Sequence, residues 1–402
     1  MRHRQPKVFL ALGWFKPGHI DGICRYACET TWTLGRWWFD IRGLLPQAKD
    51  TLRQFAPQGI ISQLRGDLTD LVKAVEVEGV PTVELCWASG MRVPRVIPDE
   101  EAAGALAAAH LHERGFSRFV YIGYQDQAGC LQGFSRTVRA GGGTLRLIDL
   151  ADPPVQRETG EPALASGIVH DEQSPLRRDW VRRFFSCCDK PVGVCVTSPT
   201  WAADIIEGCR KAHILVPEQV AVISMADMLG EGAAWPVPLT VIAPNYEEQG
   251  YQAAQLLDRM MKGEQVPPDT VVKVPPKGLV PRDSTRCRAT GNLPIARAIT
   301  FIMRNLHDPA LNSRSVCRAA QISRSRFYRS FTQHAKAPVA QYIEQQRLKE
   351  AVTLLASTTD LPRTIAEQCG FGDPLRFRRA LVRTTGMSPL AYRRKHRKTK
   401  AG

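Results

Sequence analysis

The sequence predicts a body of the α/β class with parallel sheets, followed by a smaller all-α module. Three observations carry that expectation. Short β-rich runs alternate with helical stretches up to about residue 282. Pro and Gly then gather between Pro267 and Pro294. Finally, the charge is segregated. The 402 residues include 54 Lys or Arg and 39 Asp or Glu, a net +15. From Asp283 onward there are 23 basic and 7 acidic residues (+16), while the first 282 hold 31 against 32 (−1). A basic module on a neutral body points to a polyanion partner for the module alone.

Candidate strands occupy 8–13, 39–43, 59–63, 81–86, 119–123, 144–149, 192–197, 220–224 and 239–243. Helical patterns fill 20–30, 68–78, 100–114, 176–187, 201–212 and 247–261. Strand, helix, strand at this spacing means βαβ units. Runs such as Val192-Gly193-Val194-Cys195-Val196 fit strands covered on both faces. Open parallel sheets bind ligands beyond the carboxyl ends of their strands. The candidate ligand contacts are therefore strand-following residues: Trp14, Phe15, Trp87, Asp126, Ser198, Trp201, Asp227 and Asn245. Aromatics among hydrogen-bonding groups suit a sugar or another small polar ligand. Ordinary loop residues with partly packed rings are the alternative. The punctuated stretch 263–293 reads as one or two exit strands and then a linker.

Several classes are disfavoured. No run approaches the ~18 apolar residues of a membrane span. The basic start and apolar 8–15 meet Lys16-Pro17 rather than a cleavage site, so they read as a strand. Eleven Cys without a CxxC read as reduced, mostly buried thiols in a cytoplasmic protein. No dinucleotide fingerprint, P-loop or nucleophile elbow is present. His110 and His112 lie two apart on a helix, which suits a solvated pair rather than a metal. No catalytic residue, metal or cofactor is expected. An enzyme using Cys130 or Cys195, fused to the basic module, stays open as an alternative, as does a ligand-free body.

The basic tail reads as two helix-turn-helix units. In the first, Ser315–Ala320 is followed by a Gln321-Ile322 turn, Ser323 as N-cap, and a helix from Arg324. Phe327 and Phe331 take the inner face; Ser325, Tyr328 and Arg329 face outward for a major groove, with Arg324 and Arg326 as phosphate contacts. The second unit repeats this with Ile365-Ala366 inside, a Gly370-Phe371 turn, and Asp373-Pro374 opening a helix. Phe377 and Leu381 face in; Leu375, Arg376, Arg378 and Arg379 face out. An amphipathic helix over 339–355 separates the units.

Residues 295–395 resemble the AraC/XylS-type DNA-binding domain. The motifs are Ile365–Phe371, the closing Gly386-Met387-Ser388-Pro389-Leu390-Ala391-Tyr392-Arg393, and Arg347-Leu348 with Ala351. The body resembles a LacI-type, periplasmic-binding-protein-like sensor, through Val96-Ile97-Pro98-Asp99-Glu100, Arg114-Gly115-Phe116, 214–223 and 246–257. Order and length together resemble regulators of the xylose-operon type. The resemblance implies a two-lobed sensor at 1–282, a linker at 283–293 and a DNA-binding domain at 294–402. It implies a transcription regulator that is not an enzyme. Its partners would be promoter or operator double-stranded DNA, a sugar-like effector such as xylose, a second copy of the chain, and RNA polymerase, with no membrane. Arg393 joins the DNA-binding candidates as a phosphate or structural arginine.

Overall fold

The computed structural model describes residues 5–12, 16–38, 52, 54–64, 79–86, 91–123, 128–150, 175–226, 235, 237–289 and 291–397. Two six-stranded sheets carry the body as two lobes. In lobe 1, β1 (Lys7–Leu12), β2 (Thr33–Trp38), β3 (Gly59–Gln63), β4 (Thr82–Glu84) and β5 (Arg95–Pro98) join β11 (Val271–Val274) in the order β11-β5-β4-β3-β1-β2, all parallel. Lobe 2 holds β6 (Arg118–Gly123), β7 (Thr144–Asp149), β8 (Val192–Val196), β9 (Val220–Ser224), β10 (Thr240–Ala243) and β12 (Gly278–Val280), ordered β12-β10-β9-β8-β6-β7. Only β10 with β12 is antiparallel.

Covering helices are α1 (Pro17–Thr30), α2 (Glu100–Glu113), α3 (Ala128–Ala140), α4 (Pro175–Cys187), α5 (Pro199–Lys211) and α6 (Tyr246–Met261). Every residue of β8 is buried. Val192, Val194 and Val196 enter the core of Trp180, Phe184 and Ile205, and Cys195 enters that of Leu111, Phe119 and Phe134. Apolar side chains on both faces are what a doubly covered strand requires.

The chain crosses between lobes three times. It leaves lobe 1 at Pro98-Asp99, because α2 packs Ala107, Ala108 and Leu111 into lobe 2. It returns at Pro244-Asn245, because α6 packs Ala253, Ala254 and Leu257 against Val8 and Ile23. It crosses back between β11 and β12. The helices beside the crossings meet at glycines. A Cβ on Gly250 would lie 2.2 Å from the His19 carbonyl oxygen, and one on Gly22 1.9 Å from that of Glu247. Lobe 2 repeats the device: Gly104 faces the Cys130 carbonyl at 2.1 Å and Gly133 that of Glu101 at 1.9 Å. No other residue permits such helix contact.

The structure revises several expectations. The strand expected at 39–43 and the helix at 68–78 lie outside the described residues, and the strand found beside β1 is Thr33–Trp38. β5 and α3 were not anticipated. The exit strands are β11 and β12. His110 and His112 are not a solvated pair. His110 is buried, donating from Nε2 to Thr285 Oγ1 at 2.7 Å and accepting from Arg114 at Nδ1. Burial first, and Arg114 second, lower its pKa to about 3, so it is neutral. His112 packs against Phe119 at 4.7 Å between ring centroids.

Nor does the expected linker run free. Ser284 Oγ donates to the Val222 carbonyl at 2.6 Å, Cys287 Sγ reaches the Pro217 carbonyl, and Ala289 N–H donates to Arg114 O. Lobe 2 thus holds the chain up to Ala289, four residues before α7 (Leu293–Arg304).

Six more helices follow: α8 (Ser313–Ala320), α9 (Arg324–Ala335), α10 (Val339–Ser357), α11 (Pro362–Gln368), α12 (Pro374–Thr385) and α13 (Pro389–Arg397). They enclose two cores. Val339 and Ile343 of α10 serve the first, around Phe327, Phe331, Ile299 and Val316. Leu348, Ala351 and Leu355 serve the second, around Ile365, Phe377 and Leu381. The 19 residues of α10 span ~28 Å at 1.5 Å per residue.

Candidate functional site

In the first unit, Asn312 caps α8 in a capping box with Ser315. Gln321 takes a left-handed conformation (φ 56°) and turns the chain into α9. With Phe327 and Phe331 locked inside, Arg324, Ser325, Arg326 and Arg329 stand exposed. Tyr328 does not join them. It is half-buried, its ring lies 5.2 Å from Phe327, and its hydroxyl donates to the Ser313 carbonyl. Ser323 occupies the N-cap position, but its side chain makes no capping bond.

The second unit is built alike. Gly370 (φ 75°) makes the turn, and a Cβ there would lie 2.5 Å from the Leu306 carbonyl oxygen. Asp373 accepts from Leu375 N–H at 2.8 Å, and Pro374 follows as the first helical residue. Leu375, Arg376, Arg378 and Arg379 are exposed. Arg376 also leans toward Glu344 of α10 (3.8 Å), which Arg383 bonds as well.

Arg393 takes the structural of its two expected roles. It donates to the Leu355 and Asp360 carbonyls, fastening the end of α10 to α13. Arg347, read from the sequence only as part of a helix pattern, does the same for the first unit: it is buried and donates to Leu306 O (2.8 Å) and Asp308 O (2.6 Å). One arginine per unit thus satisfies the carbonyls of a turn.

In the body, a cavity of about 150 Å³ sits where all three crossings meet. Asp99, Asn245 and Tyr246 line it with Thr197 and Ala226. The sequence signal for Asn245 led here, since it follows β10. Ser198 is one residue from the wall, its hydroxyl bonded to Thr200 Oγ1 (2.8 Å). Trp201 is a correction. It is 2% exposed, inside the lobe 2 core, with the Arg177 guanidinium 3.9 Å over its ring. As the third residue of α5 it turns under the helix, not into the cleft. Trp14, Phe15, Trp87, Asp126 and Asp227 lie outside the described residues.

Sequence reasoning missed the groups behind this wall. His19 stacks edge-on against Tyr246 (4.8 Å) and bonds Gln249 Oε1 (2.8 Å). Gln249 in turn donates to the carbonyls of Leu85 and Val96, tying α6 to β4 and β5. Burial, with Lys16 adding to it, lowers the His19 pKa to about 4, so the ring is neutral. Glu84, fully buried at the end of β4, accepts from Ser62 Oγ (2.6 Å) and Leu64 N–H. Burial raises its pKa to about 7.

Residues 108–285 match the periplasmic binding protein-like domain family, and residues 316–395 a helix-turn-helix domain family. Sensor lobes and paired units define the class: a DNA-binding transcription regulator that joins a periplasmic-binding-protein-like sensor to a helix-turn-helix domain. The xylose operon regulatory protein of Escherichia coli (strain K12) is 24% identical, over 98% of this chain and 97% of that protein. The arabinose operon regulatory protein of the same strain is 34% identical, over 25% of this chain and 34% of its own length. Among solved structures, a xylose-binding transcription activator, xylR, superposes with a TM-score of 0.64 at 21% identity, covering 98% of this chain and 99% of that one. The CelR–cellobiose complex gives 0.53 at 20%, over 71% and 86%.

Proposed function

We propose that a sugar of about pentose size, xylose or a close relative, closes the sensor cleft and thereby resets the DNA-binding module. The observation that carries this reading is the meeting of three chain crossings at one small cavity whose wall includes Asp99, Glu100, Asn245 and Tyr246, which makes the joint a hinge that an occupant can bias. The relatives' names supply the sugar class. Asn245 contacts the effector, with Trp14, Phe15, Trp87, Asp126, Ser198 and Asp227 as further contacts. The sensor is 1–282, the connection 283–293 and the DNA-binding domain 294–402.

Arg324, Ser325, Arg326 and Arg329 read one DNA segment, and Leu375, Arg376, Arg378 and Arg379 the next. The protein works in the cytoplasm as a homodimer and meets RNA polymerase at its promoter. The Cys-based alternative is disfavoured by burial, which pushes the Cys130 and Cys195 thiols up, away from the thiolate a nucleophile needs.

The test is thermal unfolding of the full chain against a panel of pentoses, hexoses and disaccharides. One sugar should raise Tm in proportion to its concentration. Asp227→Ala should abolish that shift and leave DNA binding by the free protein unchanged. A panel with no hit overturns the sugar reading.

A further inference from the structure

A second, larger cavity lies away from the hinge, between lobe 2 and the C-terminal helices. Its volume is about 660 Å³. Ala203 and Ile206 of α5 form one wall with Val216, Trp235 and Val237; Arg297 and Arg304 of α7 close the other side. Small-molecule sites have this size and make-up: ~300–1,000 Å³, mostly apolar, with a few polar groups. A wall of this kind disfavours a sugar, whose hydroxyls would go unpaired.

The rim selects further. Glu207 and Arg210 satisfy each other through bonds of 2.7 and 2.8 Å. Arg297 instead donates to an amide oxygen, Gln321 Oε1, at 2.7 Å. Arg304 comes no nearer than 3.9 Å to Asp283. Two cations thus border an apolar space, Arg297 held by an amide oxygen and Arg304 by a long ion pair with Asp283. That combination fits an amphipathic anion: an apolar body with one carboxylate or sulfonate.

The rim also leads to the DNA-binding machinery. Gln321 is the turn residue between α8 and α9, and Asp283 opens the short turn that lobe 2 holds through Ser284 and Thr285. An anion that draws both arginines inward competes with the bonds joining α7 to each. We infer that this cavity is a second effector site, for an amphipathic anion, whose occupancy alters DNA affinity. Linkage makes the effect reciprocal: bound DNA changes the anion's affinity by the same factor.

The experiment uses the full chain and 8-anilinonaphthalene-1-sulfonate as a fluorescent probe. Saturable binding at one probe per chain is expected, displaced by dodecanoate at least tenfold better than by dodecan-1-ol. Ala203→Trp, on the half-buried face of α5, fills the cavity and should weaken the probe at least tenfold. The double substitution Arg297→Gln/Arg304→Gln should weaken probe and dodecanoate about tenfold, spare dodecan-1-ol, and leave any sugar-induced Tm shift intact. Saturating dodecanoate should change DNA affinity at least threefold in the parent chain and not in the double variant. Should Ala203→Trp fail to fold by circular dichroism, the double variant decides alone. Unchanged probe binding in the folded variants overturns the site. Equal displacement by the alcohol overturns the anion. A probe signal that vanishes on dilution to monomer overturns it in favour of a second copy on this face.

Discussion

Arg329 and Glu84 show two ways in which a single side chain sets behaviour. Arg329 is exposed at the middle of α9, two residues and so about half a turn from each of the two buried phenylalanines that fix the helix's rotation. Arg329→Ala should cost specific DNA affinity about 1–3 kcal/mol and relax preference at one base pair. Titrating specific and random duplexes checks this; equal loss on both would reassign Arg329 to phosphate. Glu84 acts through protons. Its carboxyl is raised to about 7 by burial, so between its ordinary value and that pH the folded state holds the proton and the unfolded state does not. Folding stability from this group therefore falls as pH rises through that window, by on the order of 3 kcal/mol in total. His19 and His110, both lowered, act oppositely: their neutral folded forms gain stability as pH climbs toward the ordinary histidine value. Comparing Tm against pH for the parent and Glu84→Gln isolates the glutamate, because the histidine terms cancel. The Tm of the parent should fall relative to that of the variant as pH rises from about 5 to 7; a difference between the two that does not change with pH would remove Glu84 as its source.

Among the elements, the two helix crossings at glycine pairs are the tightest joints of the sensor. Gly250→Ala puts a methyl 2.2 Å from a backbone oxygen, where neither helix can yield without dragging its sheet. Overpacking of this kind costs about 1–3 kcal/mol or more. Gly291→Ala, with nothing within 4 Å, should be near neutral, and chemical denaturation of both variants tests the contrast. These joints also mark the boundary of what the sequence discloses. The strands β1, β3, β6, β8 and β9 announce themselves by continuous apolar runs, and Asp373-Pro374 announces α12. β5 is four residues that follow one proline and end on another, too short for a period, and α3 opens on Ala128-Gly129, which offer no capping side chain. Trp201 follows a strand end as a ligand contact should, but helical geometry turns it into the core. Arg347 and Arg393 are indistinguishable in sequence from groove-facing arginines, since only the fold reveals the carbonyls they satisfy.

At the scale of the whole molecule, charge separation predicts how the protein meets DNA. With four phosphate contacts from Arg324, Arg326, Arg378 and Arg379, log K should fall against log salt with a slope of about −4. Reversing lobe 2 surface charges should leave that slope unchanged; a shift with such changes would place DNA on the body. The three crossings have a consequence of another kind, for the order in which a ribosome delivers the chain. Lobe 1 cannot close when its first five strands have emerged, because α6 and β11 are made after every parallel strand of lobe 2. Until residue 274 is out, the β5 edge lacks its neighbour and α1 lacks the helix that covers it. Bare edges and apolar faces invite pairing with other chains. A product stopped before β11 should therefore aggregate rather than survive as a half-sensor, and the basic module, synthesised after the sensor, reaches DNA only behind one able to finish folding.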